Sequence, residues 1–177
     1  LTADGFYRSF AAMFLVMPLN IVIDLMTINV VAAEHLRRGD PPLEQSYDFV
    51  DAAFSTVALG LQWLLFPLAM IFLLRFLDLT QRYSALVIAH NWGTVVIWLF
   101  NMPAFLLYGA GFIASNQVID LNLIVLGFTL YYRFYIAQTS LGTTWIIAGG
   151  IAMIDFLLWA NFHFALRTIA GLWLPAS

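Results

Sequence analysis

The chain has no cysteine and no lysine. Without cysteine there is no disulfide, no thiolate nucleophile and no cysteine-held zinc or iron–sulfur site. Without lysine, all seven basic residues are arginines. Charge of either sign is scarce: 10% of residues are charged, against about 25% in an ordinary soluble domain. So few charges cannot cover the surface of a soluble domain of 177 residues. The formal charge of −3 leaves no basic footprint for nucleic acid. Also missing are a GxGxxG turn, a phosphate loop and an HExxH zinc motif.

What remains is apolar. The chain is 63% hydrophobic, with a mean hydropathy of +0.90, and holds 16 Phe, 7 Tyr and 6 Trp. It reads as an integral membrane protein. A helix needs roughly 20 apolar residues to cross the hydrocarbon core. Five stretches qualify: about 10–33, 52–77, 84–113, 118–138 and 143–167. The predicted fold is all-α, an integral membrane bundle of five transmembrane helices in a single domain covering 1–177. A short interfacial helix at the N-terminus is a further expectation. The first stretch is too long for a cleavable signal peptide and carries Asn20 and Asp24 in its middle. Leu1 stands where an initiator Met is usual, so a few preceding residues are expected. Pro18, Pro67 and Pro103 fall inside spans and are expected to kink them.

The one sizeable polar segment is EHLRRGDPPLEQSYDFVD, residues 34–51, an acidic extramembrane loop holding five of the ten acids. Five spans put the termini on opposite faces. Arg8, Arg75, Arg82 and Arg133 lean to the N-terminal face, and Arg37, Arg38 and Arg167 to the other. Four against three favours a cytoplasmic N-terminus. The expected setting is a bacterial inner membrane.

The polar residues inside the spans fall in stripes at helical spacing. Asn20, Asp24 and Thr27 share a face of the first span. Ser55 and Gln62 do so in the second, His90, Thr94 and Asn101 in the third, and Asn122, Thr129 and Arg133 in the fourth. Asp155, Trp159 and His163 do so in the fifth. Lipid is expected on the apolar sides, so the stripes should turn inward and meet. The candidate bundle-core or polar-path residues are therefore Asn20, Asp24, Gln62, His90, Asn101, Arg133, Asp155 and His163. Arg133 cannot shed its charge, and depth along the spans makes Asp155 its expected counter-ion. Ala148 and Ala152 in AGGIA sit at small-xxx-small spacing, which suits either an internal or an oligomer contact.

Three functions follow as expectations. The first is a non-enzymatic accessory or structural subunit of a larger or homo-oligomeric membrane assembly, with the stripes as glue. The second is a small proton-coupled transporter in which Asp155 titrates and Arg133 binds an anionic substrate. The third is a haem or pigment protein with a single axial ligand at His90 or His163. The expected partners are membrane lipid and other membrane subunits; the cofactor, if there is one, is unassigned. Span count and length are similar to those of the tryptophan-rich sensory protein family. That family's Trp-Pro clusters have no counterpart in NWGTVVIWLFNMPAF, and no residue roles carry over.

Overall fold

A computed structural model describes the backbone of residues 3–38 and 49–173, and the side chains of these except at positions 24, 27–38, 49–55, 115, 116, 119, 163, 166, 167 and 169–173. Of the described residues 91% are helical and none is in a strand. The long helices are α2 (Ala11–Arg38), α3 (Phe49–Phe76), α4 (Tyr83–Gly109), α5 (Ser115–Leu141) and α6 (Trp145–Trp173). The short helix α1 (Ala3–Ser9) precedes them. Each long helix is roughly 40 Å at 1.5 Å per residue, more than the hydrocarbon core of about 30 Å.

Four stretches of the described residues are long and apolar enough to cross a membrane: Ala3–Ile23, Thr56–Phe76, Thr80–Gly109 and Trp145–Phe162. Helix α5 equals the others in length but is diluted by Asp120, Asn122, Arg133 and Gln138, and it is not among the four. It packs between α4 and α6 as the remaining member of the bundle. Helix α1 is not a free interfacial helix. It runs on into the first apolar stretch through a turn at Phe10, with Ser9 fully buried against α4. Helices α2, α3 and α4 continue through Pro18, Pro67 and Pro103, and the Pro67 carbonyl accepts a hydrogen bond from the Tyr83 hydroxyl at 3.2 Å.

The helix ends follow from residues that tolerate a left-handed backbone. Asp78 (φ 55°) and Gly111 (φ 75°) each close a Schellman turn. In these turns Leu79 N–H reaches Leu74 O at 2.8 Å, and Phe112 N–H reaches Leu107 O at 2.9 Å. Gly142 (φ 59°) ends α5 in the same conformation. The short connections 77–82 and 142–144 lie at one end of the bundle, here the lower end. The turn 110–114 lies at the upper end.

Helix α4 is central and touches α1, α2, α3 and α5, while α6 closes against α3 and α5. Helices α3, α4, α5 and α6 thus form a ring of four. Its lower half is filled by Phe66, Met70, Leu74, Leu86, Ile136 and Leu141 with their neighbours. A second, smaller core joins Ala12 and Val16 of α2 to Trp63 of α3. Ala148 and Ala152 are buried, so their small side chains serve the internal contact. A Cβ at Gly149 or Gly150 would meet open space.

Among the described glycines, the closest neighbour is met at Gly93, where α4 packs on α5. A Cβ there would run into Ile136 Cδ1 and lie 3.3 Å from the Tyr132 ring. A Gly93→Val variant is expected to push α5 away and lower stability by about 1–3 kcal/mol, as overpacking does. Thermal unfolding in detergent checks this. The control is Gly127→Ala, which meets nothing within 4 Å and is expected to be tolerated.

Candidate functional site

Helix α4 carries two adjacent polar residues, His90 and Asn91, both buried. Successive residues on a helix point about 100° apart, so the two face different neighbours and build two separate polar centres.

The Asn91 centre is neutral. Trp63 Nε1 donates to Asn91 Oδ1 at 2.9 Å, and Asn91 Nδ2 donates to Ser9 Oγ at 3.0 Å. Ser9 Oγ in turn donates to the Phe6 carbonyl at 2.7 Å. Each polar side chain has its hydrogen bond, and the chain of contacts ties α1, α4 and α3 together. Sequence reasoning missed this centre. The available signal was the His-Asn pair itself, since neighbouring polar residues in an apolar run need partners on two sides.

The His90 centre is charged. Arg133 on α5 places Nε 3.2 Å from Asp155 Oδ2 on α6. His90 Nε2 lies 3.3 Å from both Asp155 oxygens. Arg133 Nη1 donates to the His90 carbonyl at 3.0 Å and Nη2 to Thr94 Oγ1 at 2.6 Å. Thr94 Oγ1 donates to that same carbonyl at 2.9 Å. Phe66 of α3 stacks on the imidazole, with ring centroids 3.6 Å apart and planes 7° from parallel. All four helices of the ring therefore contribute. The side chains are 7% (His90), 12% (Arg133) and 16% (Asp155) exposed. From the helix lengths the centre lies roughly 10–15 Å in from the lower end.

The expected Arg133–Asp155 pairing is thus present, and His90 joins it as a third member. His90 is the seventh residue after the start of α4 and Asp155 the tenth after the start of α6, while Arg133 is eight residues before the end of α5. Helix direction accounts for the convergence: α4 and α6 rise from the lower end while α5 descends to it, and the three side chains meet at one level. The other candidates lie elsewhere. Asn101 donates back to Ile97 O of its own helix at 3.1 Å. Asn20 is buried on α2, which packs on α3 and α4 and is not one of the four helices around the charged centre. Gln62 is half-buried on α3, one turn above Phe66. The side chains of Asp24 and His163 lie outside the described residues. Members of three stripes, His90 with Thr94, Arg133 and Asp155, therefore meet in the charged centre, while the neutral centre is built from residues off the stripes.

Chemically, the charged centre pairs one permanent cation with one carboxylate and sets a proton-accepting ring on that same carboxylate. His90 Nδ1 is buried without a hydrogen-bond partner. Axial ligation of a haem or pigment through Nε2 conflicts with the contact to Asp155. Among the described residues no group of three or more His, Cys, Asp or Glu is placed to hold a metal ion.

Removing one member of a buried pair leaves the other charge uncompensated, at a cost of about 3–5 kcal/mol. Arg133→Leu and Asp155→Leu are each expected to lower thermal stability in detergent by an amount of that order. The double variant is expected to lose less than the sum of the two, because neither charge is then left alone. A double-mutant cycle on the unfolding midpoints measures this coupling.

Compared with known proteins, the chain matches no family model, no curated protein and no solved structure, so what it does has to be read from the geometry of its own side chains.

Proposed function

We propose that this multi-pass membrane protein is a small proton-coupled carrier of an anion, working from Asp155, Arg133 and His90. The observation that carries the reading is one intramembrane carboxylate shared between a permanent cation at 3.2 Å and a titratable ring at 3.3 Å. Holding helices together does not require this. The Ser9–Asn91–Trp63 contacts already tie three helices with neutral groups. A buried ion pair is often no more stabilising than apolar packing of the same volume, and ionisable residues inside a membrane mark proton and ion pathways by default.

The cycle follows from charge balance. While Asp155 is ionised it neutralises Arg133. A proton arriving at the carboxylate, directly or through His90 Nε2, turns it into a neutral carboxyl group and leaves the guanidinium without its anion. A substrate anion then takes that place, so proton and anion load together. Release of the proton restores the internal pair and displaces the anion. The four-helix ring supplies the partners that must separate and re-form as this happens.

A second reading, an accessory subunit in a larger or homo-oligomeric assembly, is favoured by an apolar crevice of about 190 Å³ between α3 and α6. It is lined by Leu73, Leu77, Ile147, Gly150, Ile151 and Ile154 and has room for an apolar side chain from another chain. Under that reading both polar centres are glue.

Proteoliposomes containing a pH-sensitive dye separate the two readings. Inward gradients of phosphate, sulfate or chloride are expected to drive internal acidification with at least one anion. Asp155→Asn, which keeps the shape of the side chain, is expected to reduce the rate to that of empty vesicles while circular dichroism stays unchanged. An unchanged rate in that variant, or no acidification with any of the three anions, overturns the carrier reading.

A further inference from the structure

The helix turns on either side of the charged centre differ in kind. One turn below it, the four helices contribute Met70, Leu86, Ala137 and Ile151, all apolar and 0–2% exposed. One turn above it they contribute Gln62, Thr94, Thr129 and Trp159. Every one of these carries a hydrogen-bonding group, and none is buried. The asymmetry extends beyond these layers. Among the described residues, α6 has buried residues at Ala148, Ile151 and Ala152 and none further up, and α3 has none above Trp63. Among the described residues, helices α3 and α6 therefore bury side chains mainly in the lower half of the ring.

We infer that the layer of Gln62, Thr94, Thr129 and Trp159 is the binding vestibule for a small oxyanion, floored by Arg133 and reached from the upper end. The inference deepens the carrier reading and rests on it for the charge of the ligand. A guanidinium meets planar or tetrahedral oxyanions with a fork of N–H donors. The Thr129 hydroxyl and the Gln62 amide one turn above it donate to the remaining oxygens, which a halide lacks, while Thr94 Oγ1 stays engaged with Arg133 and the His90 carbonyl. Below, the apolar layer has nothing to offer an ion and closes the way to the lower end. The arrangement is the upper-facing form of the carrier.

The absence of cysteine from the chain makes the test direct. Single cysteines are placed at Thr129 (T129C, vestibule), Ala137 (A137C, lower layer) and Ala114 (A114C, the upper turn). In sealed proteoliposomes each is exposed to a membrane-impermeant sulfonate-bearing thiosulfonate, added from one side at a time. T129C is expected to react from the same side as A114C and at least about tenfold faster than A137C, which is reached only through local opening. Phosphate and sulfate are expected to slow T129C labelling several-fold and chloride not to. Q62C is the second vestibule position in case T129C does not fold.

Labelling of A137C as fast as T129C, or no labelling at T129C and Q62C, overturns the inference. Equal protection by chloride, or none by any anion, overturns its ligand class. These failures are separate from failure of the carrier reading. A one-sided, oxyanion-protected T129C in a protein that moves no protons keeps the site and removes the transport. Proton-coupled flux with an unreactive T129C does the reverse.

Discussion

A guanidinium cannot be made neutral inside a protein, and that constraint organises this bundle. Arg133 sits on α5 with its side chain 12% exposed, in surroundings where a lone charge costs several kcal/mol. Its three nitrogens are met from two directions, by the Asp155 carboxylate of α6 and by the His90 carbonyl and Thr94 hydroxyl of α4. Helices that supply these groups cannot move independently of α5. The close approach at Gly93, directly before Thr94, brings α4 near enough for the contacts to form. Phe66 then brings α3 to the same point by stacking on His90.

Around that point the fold divides its work. Below, a dry apolar core fixes the spacing of α3, α4, α5 and α6. Beside it, the neutral Ser9–Asn91–Trp63 contacts anchor the N-terminal segment and α3 onto α4. These contacts are uncharged, so under the carrier reading the charged trio is the part that changes partners. A proton on Asp155 alters the contacts of three helices at once, because one carboxylate serves both Arg133 and His90.

Much of this was legible from residues alone, for identifiable reasons. Scarcity of charge and long apolar runs identify the solvent, since lipid demands backbone hydrogen bonds within each segment. The Arg133–Asp155 pairing was legible because an arginine in a span requires a counter-ion and few acids lie at a compatible depth. The inclusion of His90 was not, since it depends on how far α4 is offset along its axis against α5 and α6. Asn91 was passed over because it falls off the stripe through His90, Thr94 and Asn101. Only the packing of α1 and α3 on the other side of α4 gives it a purpose.

The sequence by itself determined a helical membrane bundle and the need for a partner to every intramembrane charge. These are local requirements of chain and solvent. The tertiary structure decided which helices surround α4, that a neutral centre off the stripes stands beside the charged one, and that the charged one is apolar below and polar above. Such choices depend on helix offset and rotation, which are set by side chains distant in sequence, as where Gly93 admits Ile136 and Tyr132. No single span carries that information.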